Sequence, residues 1–307
     1  MPPSLPPQVH VFVRDWLSSN NVLLKGARGR GHVLIDTGYT SHAPLTLALL
    51  ASRQGLDGDP LSLVVNTHCH SDHMGGNAAV TRAYGCPIAI PAGEVAVVEA
   101  WDTKALLLDY AGQVADRFAV GEVLEPGSTH LWGELEWQAL AAPGHDMGAL
   151  VFFNAEHRIL ISGDALWQNG FGFVMPPEID GGAMPAALAT LDMLAALDAR
   201  VVIPGHGEPF TDVAEALERA RRRAVAFAAD SQRTAWHGLK VVFAFCLLDR
   251  RRMPLAGLPR FMAHTGLFRD INARFFELSP DALAARLVDD LVRAGAARRE
   301  ADDVVAA

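Results

Sequence analysis

Cysteine is scarce in this chain: Cys69, Cys86 and Cys246 are the only three among 307 residues. Three scattered thiols make no disulfide framework, so the expectation is a reduced protein whose thiols simply pack. Long apolar runs are missing too. The longest strongly apolar stretch, VVFAFCLL at 241–248, is about half of the ~18 residues that a membrane-crossing helix needs, and a membrane partner is set aside. The opening MPPSLPPQ has neither the basic nor the apolar segment of a secretory leader, which points to the cytoplasm. Basic charge is also short: 26 Lys and Arg stand against 35 Asp and Glu, a formal net charge of −9. A duplex binder carries the opposite balance, so nucleic acid is set aside and a small-molecule substrate is expected.

What is present is an ordinary globular composition, 50% hydrophobic and 20% charged, long enough for one large domain with a smaller appendage. Short strands are expected at 9–13, 21–25 and 31–39. A helix over 43–55 follows, and LSLVVN at 61–66 has the continuous apolar character of a buried strand. A helix over 75–85 stops at Gly85, and PIAI at 87–90 is a further strand. Residues 92–120 read as helical and irregular, then strands come in close succession at 135–140, 149–154 and 158–164. A helix over 185–199 leads into the strand 201–205. Such alternation suits helices packed outside sheets. The character changes after Thr211. A long helix is expected over 212–238, with three shorter ones near 239–250, 254–264 and 280–294. We therefore divide the chain into a mixed strand-and-helix domain, 1–211, and a mostly helical region, 212–307. The basic run RARRR at 219–223 reads as a solvated helix face.

The densest chemistry is THCHSDHMGG at 67–76, which crowds His68, His70, Asp72 and His73 into six positions directly after an apolar strand. Left without partners in a buried place, these groups would be costly; a metal ion would satisfy them. Three more metal-competent side chains stand beside glycine just after apolar strands: His145 in APGHDMG, Asp164 in ISGDALW and His206 in IPGHGEP. Strand ends on one edge of a sheet gather in space however far apart they lie in sequence. Imidazoles and carboxylates without an obligatory thiolate suit zinc, iron or manganese. Seven ligands are too many for one tetrahedral ion, and they suit two ions bridged by a carboxylate and a water. His68 and His70 share an orientation because side chains of an extended stretch alternate; Cys69 then points away. His10, His32, His42, His130, His157, His237 and His264 are read as capping or core residues.

These residues resemble the signature of the metallo-β-lactamase-fold hydrolases: THCHSDHMGG at 67–76, then GH at 144–145, GD at 163–164 and PGHG at 204–207, in order, within a resemblance that covers roughly 9–211. The resemblance implies an α/β (α+β) fold, a four-layer αββα sandwich with a small helical C-terminal extension. It puts His68, His70 and His145 on one metal, Asp72, His73 and His206 on the other, and Asp164 between them. It implies two divalent ions, zinc first with iron or manganese as alternatives, and a bridging hydroxide that attacks an ester, thioester or lactone carbonyl. Asp72 is the candidate to orient that nucleophile or shuttle a proton.

Within the superfamily the glyoxalase II-like and lactonase branches are nearest. Lactonases often carry tyrosine where Trp167 stands, and glyoxalase II usually has a basic stretch where this chain reads LWQNGFGFVM, 166–175. We expect Trp167, Asn169, Phe171 and Phe173 to line an apolar pocket, with core packing as the competing role for the two phenylalanines. A mononuclear-iron persulfide dioxygenase-like enzyme and a phosphodiesterase or nuclease are the alternatives. β-Lactam hydrolysis is not implied, because common lactamases carry cysteine where Asp164 stands. The resemblance makes 1–211 the catalytic domain, and 212–307 resembles the small helical, sometimes winged-helix-like, extension of some glyoxalase-like members; it is expected chiefly to pack, with covering the cleft or a homodimer contact as further options.

Overall fold

A computed structural model describes residues 3–27 and 31–307. Six strands form the first sheet in sequence order: β1 (Val9–Phe12), β2 (Asn21–Leu24), β3 (His32–Ile35), β4 (Leu61–Val65), β5 (Ile88–Pro91) and β6 (Glu122–Leu124). Five form the second: β7 (Thr129–Trp132), β8 (Leu135–Ala141), β9 (Leu150–Asn154), β10 (Ile159–Gly163) and β11 (Val201–Pro204), in the order β11-β10-β9-β8-β7. Pairing from β3 to β6 is parallel, as is β10 with β11, and the remaining neighbours in these two sheets run antiparallel.

The period-2 alternation of strands decides the layers. Val33 and Ile35 of β3, with Leu63 and Val65 of β4, meet Trp137 and Phe152 of the second sheet in a core between the sheets. Leu34 and Val64, one residue out of phase, face the opposite way, in a core shared with Leu50 of α1 (Ala43–Ala51), Met74 of α2 (Ser71–Met74), Val80 of α3 (Asn77–Tyr84) and Val98 of α4 (Val95–Ala100). On the second sheet, Val151, Phe153 and Leu160 turn outward onto Leu191 and Leu194 of α5 (Ala183–Ala196) and Ala216, Ala220 and Ala224 of α6 (Val213–Ala228). The result is the expected four-layer αββα sandwich.

After α6 a separate apolar core collects α7 (Ser231–Arg250), α8 (Leu258–His264), α9 (Gly266–Phe275) and α10 (Pro280–Arg293). Three strands join it: β12 (Arg252–Pro254), β13 (Ala297–Glu300) and β14 (Asp303–Ala306), an antiparallel sheet in the order β12-β14-β13.

Several expectations are corrected here. The single helix over 212–238 is two, because Asp230 leaves helical geometry (φ −143°) and its carboxylate accepts a hydrogen bond from the Arg233 backbone N–H at 2.9 Å, capping α7. The segment near 239–250 is the second half of that same helix. The helix over 43–55 ends at Ala51, where Ser52 turns to extended backbone. α9 was not anticipated, and the strands of the small sheet were not placed, although a winged-helix-like form leaves room for one: the short strands 252–254 and 297–300 expose Arg252, Pro254, Arg298 and Arg299 and so lack a strong apolar signal.

Candidate metal centre

Sheet direction explains why seven distant residues meet. β3 and β4 are parallel, and so are β10 and β11, while β8 runs with β10 because both are antiparallel to β9. Their C-terminal ends therefore lie at common edges, where ligands of α/β sheets usually bind. His68, His70, Asp72 and His73 follow β4; His145 follows β8; Asp164 follows β10; His206 follows β11.

The seven side chains form two donor sets, each with ligand atoms within 4.8 Å of one another: His68, His70 and His145 in one, Asp72, His73, Asp164 and His206 in the other. Asp164 touches both, with Oδ2 3.5 Å from His145 Nε2 and Oδ1 3.3 Å from His73 Nε2. Within the first set His70 Nδ1 lies 2.9 Å from His145 Nε2, and within the second His206 Nε2 lies 3.0 Å from Asp72 Oδ2. Close approach demands glycine at 205, where a Cβ would collide with Asp164 Oδ1. Among the described residues the buried nitrogens His68 Nε2 and His73 Nε2 have no hydrogen-bond partner. Leaving them so would cost free energy, and a cation held by each donor set would remove that cost. The donors present thus fit divalent metal.

The opposite ring nitrogens are tied down. Asp36 at the end of β3 accepts from His73 Nδ1 at 2.7 Å through Oδ2, and from the backbone N–H and hydroxyl of Thr67 at 2.9 and 2.8 Å. Thr67 Oγ1 is in turn 3.1 Å from His68 Nδ1. His145 Nδ1 donates to the Phe173 carbonyl at 2.6 Å. Partners of this kind fix the ring and its tautomer so that the far nitrogen faces the metal. Sequence reasoning missed Asp36 and Thr67 in this role. Asp36 holds a positive φ of 57°, uncommon for a residue other than glycine.

Electrostatics follow from burial and neighbours. Burial, then His73 and His70, hold the His68 imidazole well below its ordinary pKa, and burial, then His145, pull His70 down to about 4. Burial opposes charge on His73, but Asp36, Asp164 and Asp72 outweigh it and raise its pKa well above the usual value. Burial likewise pushes against the Asp164 and Asp72 carboxylates; His73 above all, then His206, keeps both below the ordinary range. Behind His70 stands Asp146, 3.5 Å from Nε2, and beyond it Glu94, whose carboxyl is pushed up to about 9 by burial and by Asp146. Cys69 is fully buried in the outer core with Leu34 and Met74, away from the donors.

A cleft of about 110 Å³ opens over the donors and joins a chamber of about 660 Å³ through shared walls: Trp16, Trp167, Phe173, His206, Val241 and Phe245. Trp16 stacks on the His206 ring at 5.4 Å, and Trp167 Nε1 donates to Asp164 Oδ1 at 3.1 Å. Of the four expected pocket residues, Trp167 and Phe173 line both spaces. Asn169 lies at the exposed rim of the chamber, and Phe171 is largely taken up by the core under α5 and α6. The α7 side chains Val241 and Phe245 also wall the cleft, so this helix covers the donors as well as packing. Trp16 and α7 were not foreseen as walls.

The sequence signature of the metallo-beta-lactamase superfamily matches residues 14–206, more than half of the chain. Hydroxyacylglutathione hydrolase of Rhodospirillum rubrum is 29% identical over 243 residues, 78% of this chain and 82% of that protein. Among solved structures, a protein in a di-iron-bound form is 28% identical with a TM-score of 0.53, over 69% of this chain and 96% of that one. A beta-lactamase domain protein from Burkholderia ambifaria shares the fold over 99% of this chain and 93% of its own, at 20% identity and a TM-score of 0.60. The chain belongs to the metallo-beta-lactamase superfamily. It is a metal-dependent hydrolase, similar to hydroxyacylglutathione hydrolases and built to hold divalent metal. Among the described residues no helix is long and apolar enough to cross a membrane.

Proposed function

We propose that the chain hydrolyses a small-molecule ester, thioester or lactone with two divalent ions, zinc in the first instance. The observation that carries this reading is the placement of Asp164, whose two oxygens each face a different donor set. One carboxylate so shared suits two ions better than one. His68, His70 and His145 would hold the first, and Asp72, His73 and His206 the second. When bound, the ions supply a water acidified toward the neutral range and a Lewis acid for the carbonyl. The protein's own groups do the rest. Asp36 and Thr67 hold the His73 and His68 rings in register, and Trp167 fixes one oxygen of Asp164. Asp72, less buried than its neighbours and 3.0 Å from His206, borders the cleft and is placed to orient a nucleophile or pass on a proton. Trp16, Phe173, Val241 and Phe245 exclude water and favour an apolar acyl or ring group.

Metal stoichiometry of protein purified without chelator, followed by an ester, thioester and lactone panel, tests the proposal. About two ions per chain and turnover of a carbonyl substrate are expected. One iron per chain, with oxygen uptake on a persulfide, would replace this reading with the sulfur-oxidising one.

A further inference from the structure

The run RARRR, read from sequence as a solvated face, splits in the structure. Arg219 pairs with Asp212, Arg221 with Asp192 and Arg222 with Glu218. Arg223 has no carboxylate partner among the described residues, in a chain with a surplus of acids. It turns inward and lines the chamber beside the metal cleft. There the groups that touch the guanidinium are neutral. Its NH1 donates to the Asn169 carbonyl at 3.3 Å and its NH2 to His237 Nε2 at 2.8 Å, and it sits 5.3 Å from the centre of the Phe227 ring, which stacks on His237. Another cation, Arg233, 5.9 Å from the centre of the same Phe227 ring, supplies the charge that acts on Arg223. Gly170 leaves it room: a Cβ there would come within 2.8 Å of NH1, at a φ of 144° that disfavours any side chain. Burial, then Arg223 itself, Lys240 and Arg233, push the His237 imidazole down to about 4, so it is neutral and serves as acceptor. The chamber's acidic side chains, Asp15 and Glu208, are exposed, Asp15 faces His42 at 3.7 Å, and Ala307 also lines the wall.

A guanidinium has five N–H donors. The two bonds above leave three, on a cation with no carboxylate partner among the described residues, at the wall of an otherwise largely apolar chamber. The same short loop joins this place to the metals: Trp167 holds Asp164, and Asn169, two residues on, holds Arg223. We infer that Arg223 is the anchor for a carboxylate on the far end of the substrate, so that the hydrolysed compound is an ester or thioester whose apolar body ends in a single negative charge. One guanidinium beside a neutral imidazole suits a monoanion better than a phosphate dianion. This substrate class rests on the hydrolase reading above.

The test compares the 4-nitrophenyl monoester of adipic acid with 4-nitrophenyl hexanoate, which differ in the terminal carboxylate, on metal-loaded wild type, Arg223→Gln and Arg223→Lys. Wild type should prefer the adipate ester by about ten- to a hundredfold in kcat/KM, the range of a charge-assisted hydrogen bond. Arg223→Gln should bring that ratio near one, and Arg223→Lys should keep part of it. A purely structural arginine would lower both rates together, and an unchanged ratio overturns the proposal. Quenching of tryptophan fluorescence by 6-phenylhexanoate and by 6-phenylhexanol separates the two readings. If no ester is turned over but the acid still binds in an Arg223-dependent way, hydrolysis falls and the anchor stands. If esters are turned over and Arg223→Gln changes neither the ratio nor acid binding, the anchor alone falls.

Discussion

The donor edge and the chamber beside it are built on opposite principles. At the edge, seven titratable side chains sit at the ends of β4, β8, β10 and β11, almost all buried, each held by the chain or by one another. Rigid strands make that geometry hard to change. The chamber is walled chiefly by one loop, 167–173, and by the faces of α6 and α7, where apolar side chains dominate, Arg223 carries the positive charge, and Asp15 and Glu208 stand exposed. Chemistry is thus fixed by the sandwich, and discrimination is left to elements that can vary without disturbing it.

The largest effect should come from Asp164, whose two oxygens face both donor sets. Asp164→Ala is expected to lower kcat/KM by about a thousandfold or more, since metal contributes several kcal/mol and each 1.36 kcal/mol is tenfold. Metal analysis should show loss of at least one ion per chain. A metal-replete, active variant would sink the two-ion reading and reduce the edge to a single-metal site.

A smaller effect should follow one step further out. Asp36→Asn keeps the size of the side chain but weakens the grip on His73 Nδ1 and on Thr67. Losses of about 10- to 100-fold in metal affinity or activity are usual for such outer partners. Titration of apo protein with zinc should therefore show weaker binding, and activity should recover at high metal. Failure to recover would mean that Asp36 acts on the reaction rather than on the ligand.

The same contrast governs what could be read from the sequence. The donors were legible because HxHxDH, GH, GD and GHG each follow an apolar strand, so motif and strand end coincide. Asp36 belongs to none of these motifs, because its role exists only once β3 lies beside β4. Trp16, Val241 and Phe245 belong to segments far from the motifs and reach the cleft through packing. Within RARRR a signal did exist: positions 219 and 223 are one helical turn apart and border the buried stripe of Ala216, Ala220, Ala224 and Phe227, whereas 221 and 222 point away. Asp230 before Ser231 likewise marked the break between α6 and α7 as an N-cap.

Trp167 belongs to both regions, and it offers the finest test of where one ends and the other begins. Its indole ring walls cleft and chamber, and its Nε1 donates to Asp164. Trp167→Phe removes the donor and keeps an aromatic wall. Losing one hydrogen bond of about 1 kcal/mol should cost roughly fivefold in kcat/KM, with both ions retained. If the loss falls on kcat, the bond tunes Asp164 and the residue belongs to the donor edge. If it falls on KM and grows with the bulk of the acyl group, the ring's fit matters more than its bond, and Trp167 belongs to the chamber. No change in either constant would exclude it from both.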